Sequence, residues 1–578
     1  MRARCCRRAC SPAPPSASSA RPCVTGSSTR AVPISPGSAS RHWTRCSGAS
    51  RRCRARPSAE AVLRFDNRFL LELPGDPRAD DCPRQVHGAL WSAVLPTPVA
   101  APRLLAHSPE VAAALGIDAA TLASPEFVQV FAGNRLWPGM QPWASNYGGH
   151  QFGHWAGQLG DGRAISLGEA LAADGARHEL QLKGAGRTPY SRHADGRAVL
   201  RSSLREFVCS EAMHHLGVAT TRALSLIVSG EEVVRDLFYD GHPRAEPGAI
   251  VCRVAPSFIR FGHFELPAAR GDIGLLERLV EFTIARDFPH LSGPPEQRRG
   301  DWFVEVCMRT GRLLANWMRV GFVHGVMNTD NLSILGLTID YGPYGWLEDF
   351  DPDWTPNTTD FEGRRYAYGR QPEIAQWNLS ALAGALAPLF SDPAPLHAGL
   401  RAYAQTFMTE QARWTAARFG WERLDDERLR LARDFHALLQ RCEIDLTLAF
   451  RLLADIDPEA PSLQTLEAAW YRPALVAAEA GEWQSWLGAY AGTLRADPRP
   501  RAQRQAAMNA VNPLYVPRNY LAQLCIDAAE RGDLAPLHEW LETLRRPCEE
   551  QPGRAHHAAR RPEWARERPG CSMLSCSS

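Results

Sequence analysis

Two polar side chains near the middle of the chain are spaced so that they could hold one divalent cation. Asn331 ends the run His-Gly-Val-Met-Asn-Thr-Asp-Asn that begins at His324, and Asp340 opens the triplet Asp-Tyr-Gly nine residues later. An amide oxygen and a carboxylate are hard ligands of the kind that Mg²⁺ prefers, with phosphate oxygens completing the shell. The spacing therefore predicts a metal site, whereas the triplet alone would also be consistent with an ordinary turn after a strand.

The same spacing is typical of protein kinases. There a His-to-Asn run precedes an Asp-Phe-Gly triplet, and the Asn and Asp bind the metal ions that bridge the nucleotide phosphates. In kinases the Asp two residues after the His is the catalytic base. This chain has Val326 at that position, which cannot accept a proton, and Asp330 is the nearest carboxylate that could replace it. This departure counts against ordinary phosphoryl transfer.

Residues upstream could supply the phosphate-binding parts. Lys183 is the only lysine among 65 lysines and arginines, which suggests a site where Arg cannot substitute, although one Lys could also persist by chance. It ends the alternating, strand-like segment Glu-Leu-Gln-Leu-Lys. Glu206 could hold Lys183 from the helical pattern Val199–Val218, or could cap that helix with Ser203. A Gly-rich turn, Gly157–Arg163, could bring backbone N–H groups close to phosphates.

Two further pairs allow two interpretations each. Arg253 and Arg260 could bind phosphate bidentately, or could form surface salt bridges. His150 and His154 have a spacing that could bind zinc, but no third ligand is close in sequence, so we interpret them as structural.

The type of secondary structure that the sequence predicts for positioning these residues changes along the chain. Strand-like segments and a few helical patterns come first, and after about residue 270 the pattern is mostly helical. This order predicts an α+β fold with two kinase-like lobes, a strand-rich N-lobe and a larger helical C-lobe. Predicted strands are Arg163–Leu167, Glu179–Lys183, Ala223–Val228 and Ala249–Val254, and predicted helices include Pro109–Leu115 and Phe303–Val320. The predicted divisions are 1–58, then 59–265 as N-terminal extension and N-lobe, and 266–578 as helical C-lobe and tail.

Composition narrows the functional classes. The 578 residues are 45% apolar and 22% charged, which is ordinary for a globular protein, and no long apolar run predicts a membrane span. Residues 1–58 hold twelve Arg and no acid, so the net charge of +2 leaves about −10 on the rest, which argues against nucleic acid as the main partner. The nine cysteines beyond residue 58 form no metal-binding or disulfide pattern, which favours a reduced, cytoplasmic protein.

Residues 1–58 allow three interpretations. The segment is rich in Arg, Ser, Pro and Ala without apolar periodicity, which predicts disorder. It could also result from a wrongly assigned start codon. The third interpretation is a transit peptide, which would place the protein in mitochondria.

Five long segments of the chain resemble the selenoprotein O family, and the resemblance runs from about residue 62 to the C-terminus. They are NYGGHQFGHWAGQLGDGRA, ELQLKGAGRTPYSRHADGRAVLRSSLREF, VHGVMNTDN, IDYGPYGW and QPEIAQWNLSALA. Members of this family are kinase-like proteins that attach AMP to other proteins. Cys576 stands where some members carry selenocysteine, and it could be a redox-active thiol or an inert tail residue.

The resemblance implies a reaction and a role for each site residue. ATP would be bound with its α-phosphate facing the acceptor, and Mg²⁺, or Mn²⁺ in its place, would assist AMP transfer to Ser, Thr or Tyr hydroxyls of protein substrates, with release of pyrophosphate. Asp330 would be the general base, Glu206 would support Lys183, and Asn331 and Asp340 would bind the metal. The implied nucleotide-binding residues are Gly160, Gly162, Arg163, Lys183, Asp195, Gly196, Arg253, Arg260 and Asp340.

The rival functions are an ordinary protein kinase and a nucleotide-binding pseudokinase scaffold. A pure scaffold would have no need of the two metal ligands. We expect neither nucleic acid nor a membrane as partner, and the sequence leaves the oligomeric state open.

Overall fold

The structure is a computed structural model that describes residues 63–237 and 240–575. The predictions for residues 1–58 and for Cys576 concern residues outside this part of the chain.

Fourteen strands occur within the described residues. They are β1 (Arg64–Phe65), β2 (Gly75–Asp76), β3 (Trp91–Ala93), β4 (Arg103–His107), β5 (Trp143–Ser145), β6 (Gly148–Gln151), β7 (His154–Gln158), β8 (Ala164–Leu171), β9 (Arg177–Lys183), β10 (Ala198–Val199), β11 (Arg222–Arg235), β12 (Arg244–Ala255), β13 (Phe322–Val323) and β14 (Gly345–Trp346). Ten of them form one sheet, with the main order β2-β3-β5-β8-β9-β12-β11-β4, while β1 pairs with β8 and β10 with β12. Two small two-stranded sheets stand apart from it: the β6–β7 hairpin, and β13 paired with β14, which follows after 21 intervening residues.

Eighteen α-helices occur in the same part of the chain, most of them after the sheet. They are α1 (Arg68–Glu72), α2 (Pro109–Leu115), α3 (Ala119–Leu122), α4 (Pro125–Phe131), α5 (Leu200–His215), α6 (Phe261–Ala269), α7 (Ile273–Asp287), α8 (Pro295–Val320), α9 (Gln371–Leu386), α10 (Ala394–Arg418), α11 (Asp426–Arg441), α12 (Leu446–Leu452), α13 (Pro473–Ala478), α14 (Ala480–Arg495), α15 (Arg501–Val511), α16 (Asn519–Glu530), α17 (Ala535–Leu544) and α18 (Ala555–Ala558). Among them, none is long and apolar enough to cross a membrane.

Helix α2 illustrates how local sequence sets the ends of these elements. The Ser108 side chain accepts a hydrogen bond from Val111 N, and Pro109 occupies the first helical position, where a missing N–H costs nothing. The helix ends at Gly116, whose φ of 76° suits glycine.

The large sheet is covered on both faces because the side chains of its central strands alternate between two cores. On β12, Ile250 and Cys252 pack into the core that contains α2 and α4. The intervening Val251 packs against α5, behind which α16 and α17 lie. The same alternation turns Arg253 of β12 towards α5.

The helical part has its own cores. Helices α7 to α10 share one apolar cluster that includes Trp302, Leu314 and Leu379. Helices α11, α12 and α14 share another, centred on Phe435, Phe450 and Trp483.

The structure confirms a mixed α/β fold with a large sheet and many helices, and it lengthens most of the predicted elements. Strands β11 and β12 extend well beyond the predicted 223–228 and 249–254 because their polar outer ends still pair with one another. Helix α8 begins eight residues before the predicted Phe303. Pro109–Leu115 is helical as predicted.

Candidate functional site

Side chains from β9 and β12 meet α5 on one face of the sheet. Gln181 and Lys183 alternate with the buried Leu182, so both point away from the α2–α4 core. Gln181 lies opposite Arg253 in the pairing of β9 with β12. The Lys183 Nζ lies 2.5 Å from Glu206 Oε2, and both side chains are buried.

Glu206 binds two cations from inside α5 and does not cap the helix. Helix α5 begins at Leu200, so Glu206 lies in its second turn. The Ser203 hydroxyl has no hydrogen-bond partner among the described residues, and the capping-box alternative is therefore wrong. The second oxygen of Glu206 accepts a hydrogen bond from Arg253 Nη1 at 3.2 Å. Burial lowers the pKa of Lys183, and the Glu206 carboxylate opposes that shift.

Arg253 and Arg260 converge on Asp340. Arg253 donates to one carboxylate oxygen of Asp340, and Arg260 donates to the other. Only 3% and 2% of these two arginine side chains are exposed, so the surface salt-bridge alternative is wrong. Burial by itself would raise the pKa of Asp340, but Arg260, Arg253 and Lys183 hold it well below its usual range.

The backbone at Asp340 adopts a left-handed conformation that a non-glycine residue rarely takes, with φ at 55°. The preceding residue is held by His324, whose Nε2 lies 2.9 Å from Ile339 O. Gly342 N donates to Asp340 O at 2.8 Å, which closes the turn. Asp340 therefore does lie in a turn. Its side chain also accepts hydrogen bonds from two buried arginines, so the turn positions a charged group as well as linking two segments.

Asp330 and Asn331 lie in a short 3₁₀ turn, Thr329–Asn331, on the other side of Arg260. Arg260 Nη1 donates to Asp330 O at 2.9 Å, which joins this turn to Asp340 through one guanidinium group. Burial raises the pKa of the Asp330 carboxyl to about 7, against the influence of Arg260. Asn331 donates from Nδ2 to Val326 O at 2.9 Å, so its amide oxygen is the atom left for a ligand.

The β6–β7 hairpin lies directly against Asp330. His150 N donates to Thr329 Oγ1 at 2.7 Å, and Gln151 Nε2 lies 3.4 Å from Asp330 Oδ2. A Cβ on Gly149 would lie 2.7 Å from Asp330 Oδ1, closer than packing allows. Glycine is therefore required where the hairpin meets this turn.

The zinc interpretation of His150 and His154 finds no support. His150 Nδ1 lies 2.6 Å from Glu265 Oε1, and the two histidines belong to a strand pair with Trp155 and Gln151. Among the His, Cys, Asp and Glu side chains of the described residues, the one group of three with ligand atoms close enough together to hold a metal is Glu539, His556 and His557, which does not include His150 or His154.

The Gly-rich turn packs its backbone on Tyr190. A Cβ on Gly160 would lie 2.4 Å from the Tyr190 ring, and one on Gly162 would lie 3.0 Å from Tyr190 O. Arg163 O accepts a hydrogen bond from Gly184 N at 2.8 Å, which ties the end of the turn to the end of β9. Arg163 is thus adjacent to the end of β9 that carries Lys183, and Gly160 and Gly162 lie in the turn that leads to it.

Asp195 and Gly196 are not drawn into this cluster. The Asp195 carboxylate pairs with Arg235 of β11 at 2.7 Å and is about half exposed. A Cβ on Gly196 would lie 2.1 Å from Gly186 O, so this glycine allows two backbone segments to touch.

Sequence reasoning missed three residues that hold the arginines. Asp161, inside the Gly-rich turn, lies 3.6 Å from Arg260 Nη2 and accepts from Tyr147 OH at 3.1 Å. The Tyr147 ring lies beneath Arg260, with the guanidinium carbon 4.9 Å from its centroid. Gln181 accepts from Arg253 Nη2. The sequence did offer two signals for these residues. Asp161 is a carboxylate within a glycine-rich turn, and Gln181 is a polar residue two positions before Lys183.

The donor set fits a hard divalent cation. Asn331 and Asp340 offer an amide and a carboxylate oxygen, and a carboxylate has more lone pairs than its two arginine contacts use. Asp330 Oδ1 is buried and has no hydrogen-bond partner among the described residues. An oxygen-rich site with an unsatisfied carboxylate is chemically suited to Mg²⁺.

With this fold and cluster in view, the comparisons with known proteins identify the class of enzyme. Residues 84–545 match the model of the family described as "Protein adenylyltransferase SelO". Similar proteins named "Protein nucleotidyltransferase YdiU" occur in Xanthomonas axonopodis pv. citri, at 64% identity over 516 residues, and in Aromatoleum aromaticum, at 63% over 520 residues. Each match covers 89% of this chain and 99% of the relative.

The chain therefore belongs to the SelO family of nucleotidyltransferases. The predicted family and the predicted class of enzyme are both confirmed.

Proposed function

We propose that this enzyme transfers AMP from ATP to Ser, Thr or Tyr hydroxyls of proteins, with help from Mg²⁺, and releases pyrophosphate. The observation that carries the proposal is the convergence of Lys183, Arg253 and Arg260 next to Asp330. Three buried cations in one place are suited to a triphosphate, because guanidinium and ammonium groups bind phosphate oxygens strongly. Family membership supports nucleotidyl rather than phosphoryl transfer.

Each residue of the cluster has a distinct part in this scheme. Lys183, kept in place by Glu206, and the two arginines bind phosphate oxygens and stabilise the charge that develops during transfer. Asn331 and Asp340 would hold Mg²⁺, which neutralises phosphate charge when bound. The resemblance assigns Gly160, Gly162, Arg163, Asp195 and Gly196 to the nucleotide as well, and the hydrogen bond from Gly184 N to Arg163 O supports this for Arg163.

Asp330 is the proposed general base. It takes the proton of the acceptor hydroxyl, whose oxygen forms a bond to the α-phosphorus while the bond from that phosphorus to the bridging oxygen breaks. The β- and γ-phosphates leave together as pyrophosphate. Val326, at the kinase base position, is buried and has no group that could do this.

We also infer that the chain forms two kinase-like lobes, with residues 59–265 as N-terminal extension and N-lobe and 266–578 as C-lobe. The strand-rich part before α6 and the helical part after it support this division. In this arrangement the cluster lies where β9, β12 and α5 of the first lobe face the 324–342 region of the second.

Label transfer from ATP tests the reaction. The enzyme is incubated with Mg²⁺ and acceptor proteins, with the radiolabel on the α-phosphate in one reaction and on the γ-phosphate in the other. We expect label to be retained only from the α position, and to be lost with Asp340→Ala.

The other outcomes decide between the rivals. Label retained from the γ position would identify a kinase and refute AMP transfer. If ATP binds but neither label is transferred, the scaffold function is correct and the proposal is wrong.

A further inference from the structure

A cavity, called here the tail cavity, lies beside the segment that follows Asp-Tyr-Gly. It has a volume of about 380 Å³ and is walled on one side by residues 348–364 and on the other by residues 561–573 of the C-terminal tail. That volume is at the small end of the range for ligand pockets, enough for one or two side chains.

The cavity carries an excess of negative charge. Of its arginines, Arg561 pairs with Asp349 at 2.8 Å, and Arg566 pairs with Glu443 at 3.3 Å. By contrast, three of its carboxylates have no cationic partner among the described residues. They are Asp351, Asp353 and Glu567. Arg364, the remaining arginine of the lining, donates to the backbone oxygen of Asp353 and forms no ion pair with a carboxylate of the described residues, so acid remains in excess.

A buried carboxylate oxygen in the wall lacks a hydrogen-bond donor. Glu348 lines the cavity and is only 5% exposed. One of its oxygens accepts from Arg518, whereas Oε1 has no partner among the described residues. An unsatisfied buried acceptor is costly, so this oxygen indicates a ligand that brings N–H donors.

The remaining lining is suited to an aliphatic chain. Trp354, Phe361 and Met573 contribute apolar surface, and Phe361 is 42% exposed. Arg and Lys combine a long apolar stem with a cationic head, and the head gains further from the face of an aromatic ring.

Hydrogen bonds join the wall of the cavity to residues 324–331, the segment that contains Asp330. Asn357 Nδ2 donates to Gly325 O at 3.1 Å. Asp360 accepts from Tyr366 N at 2.7 Å, and the Tyr366 hydroxyl in turn donates to Asn328 at 2.6 Å. A peptide held in this cavity would therefore be held by the same framework that positions the proposed base.

We propose that this cavity binds an Arg or Lys side chain of the protein substrate, so that the enzyme selects hydroxyls that have a basic residue nearby. The inference rests on the proposed AMP transfer and names the chemistry of the substrate that this reaction uses.

Short peptides test the proposal. Each contains one acceptor hydroxyl and one Arg, with the Arg scanned over the flanking positions, and each has a counterpart with Gln at the same position. For at least one position we expect the KM for AMP transfer to be about tenfold lower with Arg than with Gln, since two partly screened ion pairs add modest terms. The double variant Asp351→Asn/Asp353→Asn should remove this difference and leave kcat for the Gln peptide unchanged.

A matched control is available in Asp392→Asn/Asp533→Asn. Both aspartates are exposed and accept the N–H two residues on, as Asp351 does from Asp353 N. This variant should keep the preference for Arg.

Two results would overturn the docking proposal and leave AMP transfer itself intact. One is an equal KM for every Arg peptide and its Gln counterpart, and the other is a preference for Arg that survives in Asp351→Asn/Asp353→Asn. Absence of α-label transfer to any peptide or protein would instead overturn the proposed function, and the docking proposal with it.

Discussion

At the scale of single residues, the position of the lone lysine explains why Arg would not serve there. Lys183 reaches Glu206 with a compact ammonium group, and the other oxygen of Glu206 is already taken by Arg253. A guanidinium group at position 183 would place a second large, planar cation against the same buried carboxylate, where Arg253 already lies.

We predict that Lys183→Arg lowers the rate of α-label transfer by about 10²- to 10³-fold, the loss typical of a misplaced charge-stabilising group. The folded structure should persist, because the positive charge is kept. The control is Arg441→Lys, which changes an exposed arginine paired with Glu479 at 3.0 Å and should leave transfer unchanged. Full activity in Lys183→Arg would mean that the single lysine is a chance survivor.

Asp340 occupies donors of both arginines that phosphate oxygens would also need. Lys183, Arg253 and Arg260 are balanced here by Glu206, Asp340 and Asp161. We predict that Asp340→Asn abolishes transfer yet tightens binding of ATP in EDTA by about tenfold, which corresponds to roughly 1.4 kcal/mol. Fluorescence titration with a labelled ATP analogue would measure this, and weaker metal-free binding than in the wild type would contradict it.

At the scale of elements, the contact of α6 with the β6–β7 hairpin depends on one glycine. A Cβ on Gly262 would lie 2.1 Å from Gly148 O, and neither backbone can yield without moving its whole element. We predict that Gly262→Ala lowers the free energy of unfolding by about 1–3 kcal/mol, as overpacking does. AMP transfer should fall as well, because the displaced hairpin would no longer meet the turn that holds Asp330.

Gly274→Ala is the matched control for this prediction. Gly274 lies in the next helix, α7, and a Cβ there would meet no heavy atom within 4 Å. Alanine at such a site should be neutral or stabilising by up to about 1 kcal/mol. Thermal unfolding and transfer rates of the two variants would be compared, and equal behaviour would contradict the assigned role of the Gly262 contact.

The elements that carry the cluster could be predicted from sequence because their periodicity is local. The alternation in Glu179–Lys183 placed Lys183 on a strand, and the helical spacing around Glu206 placed that residue on a helix, as the structure has them. The β6–β7 hairpin was missed because its residues are mostly glycine and aromatic, and Phe152 turns the chain with a left-handed φ of 51°.

The contacts within the site could not be predicted in the same way. Arg253 and Asp340 are 87 residues apart in the chain, and no local pattern encodes their pairing. Asp161 was overlooked for the same reason, since its partners lie on other elements. The roles of the predicted site residues stay predictions until the variants described here are measured.

At the scale of the whole molecule, Arg518 joins segments that are far apart in sequence. It precedes α16 and donates to Glu348, which follows β14, and to Asp445, which caps α12, at 2.7 Å. Tyr471 also donates to Asp445 at 2.9 Å. One fully buried guanidinium group thus compensates two buried carboxylates, and one of them, Glu348, lies in the wall of the tail cavity.

We predict that Arg518→Met lowers the free energy of unfolding by about 3–5 kcal/mol at pH 8, because it leaves buried carboxylates without their cation. Arg441→Met, which removes one arginine of an exposed pair, should cost no more than about 1 kcal/mol. Urea unfolding followed by tryptophan fluorescence would measure both.

The pH dependence of that loss provides a sharper test than its size. Burial already raises the pKa of Glu348, and the Arg518 charge opposes this rise, so its removal raises the pKa further. A carboxyl whose pKa is higher in the folded than in the unfolded state stabilises the fold less as pH rises above the unfolded value of about 4.3. The deficit of Arg518→Met relative to the wild type should therefore be large at pH 8 and shrink towards pH 5. A deficit of equal size at both pH values would mean that lost packing around the side chain, rather than uncompensated charge, destabilises the variant.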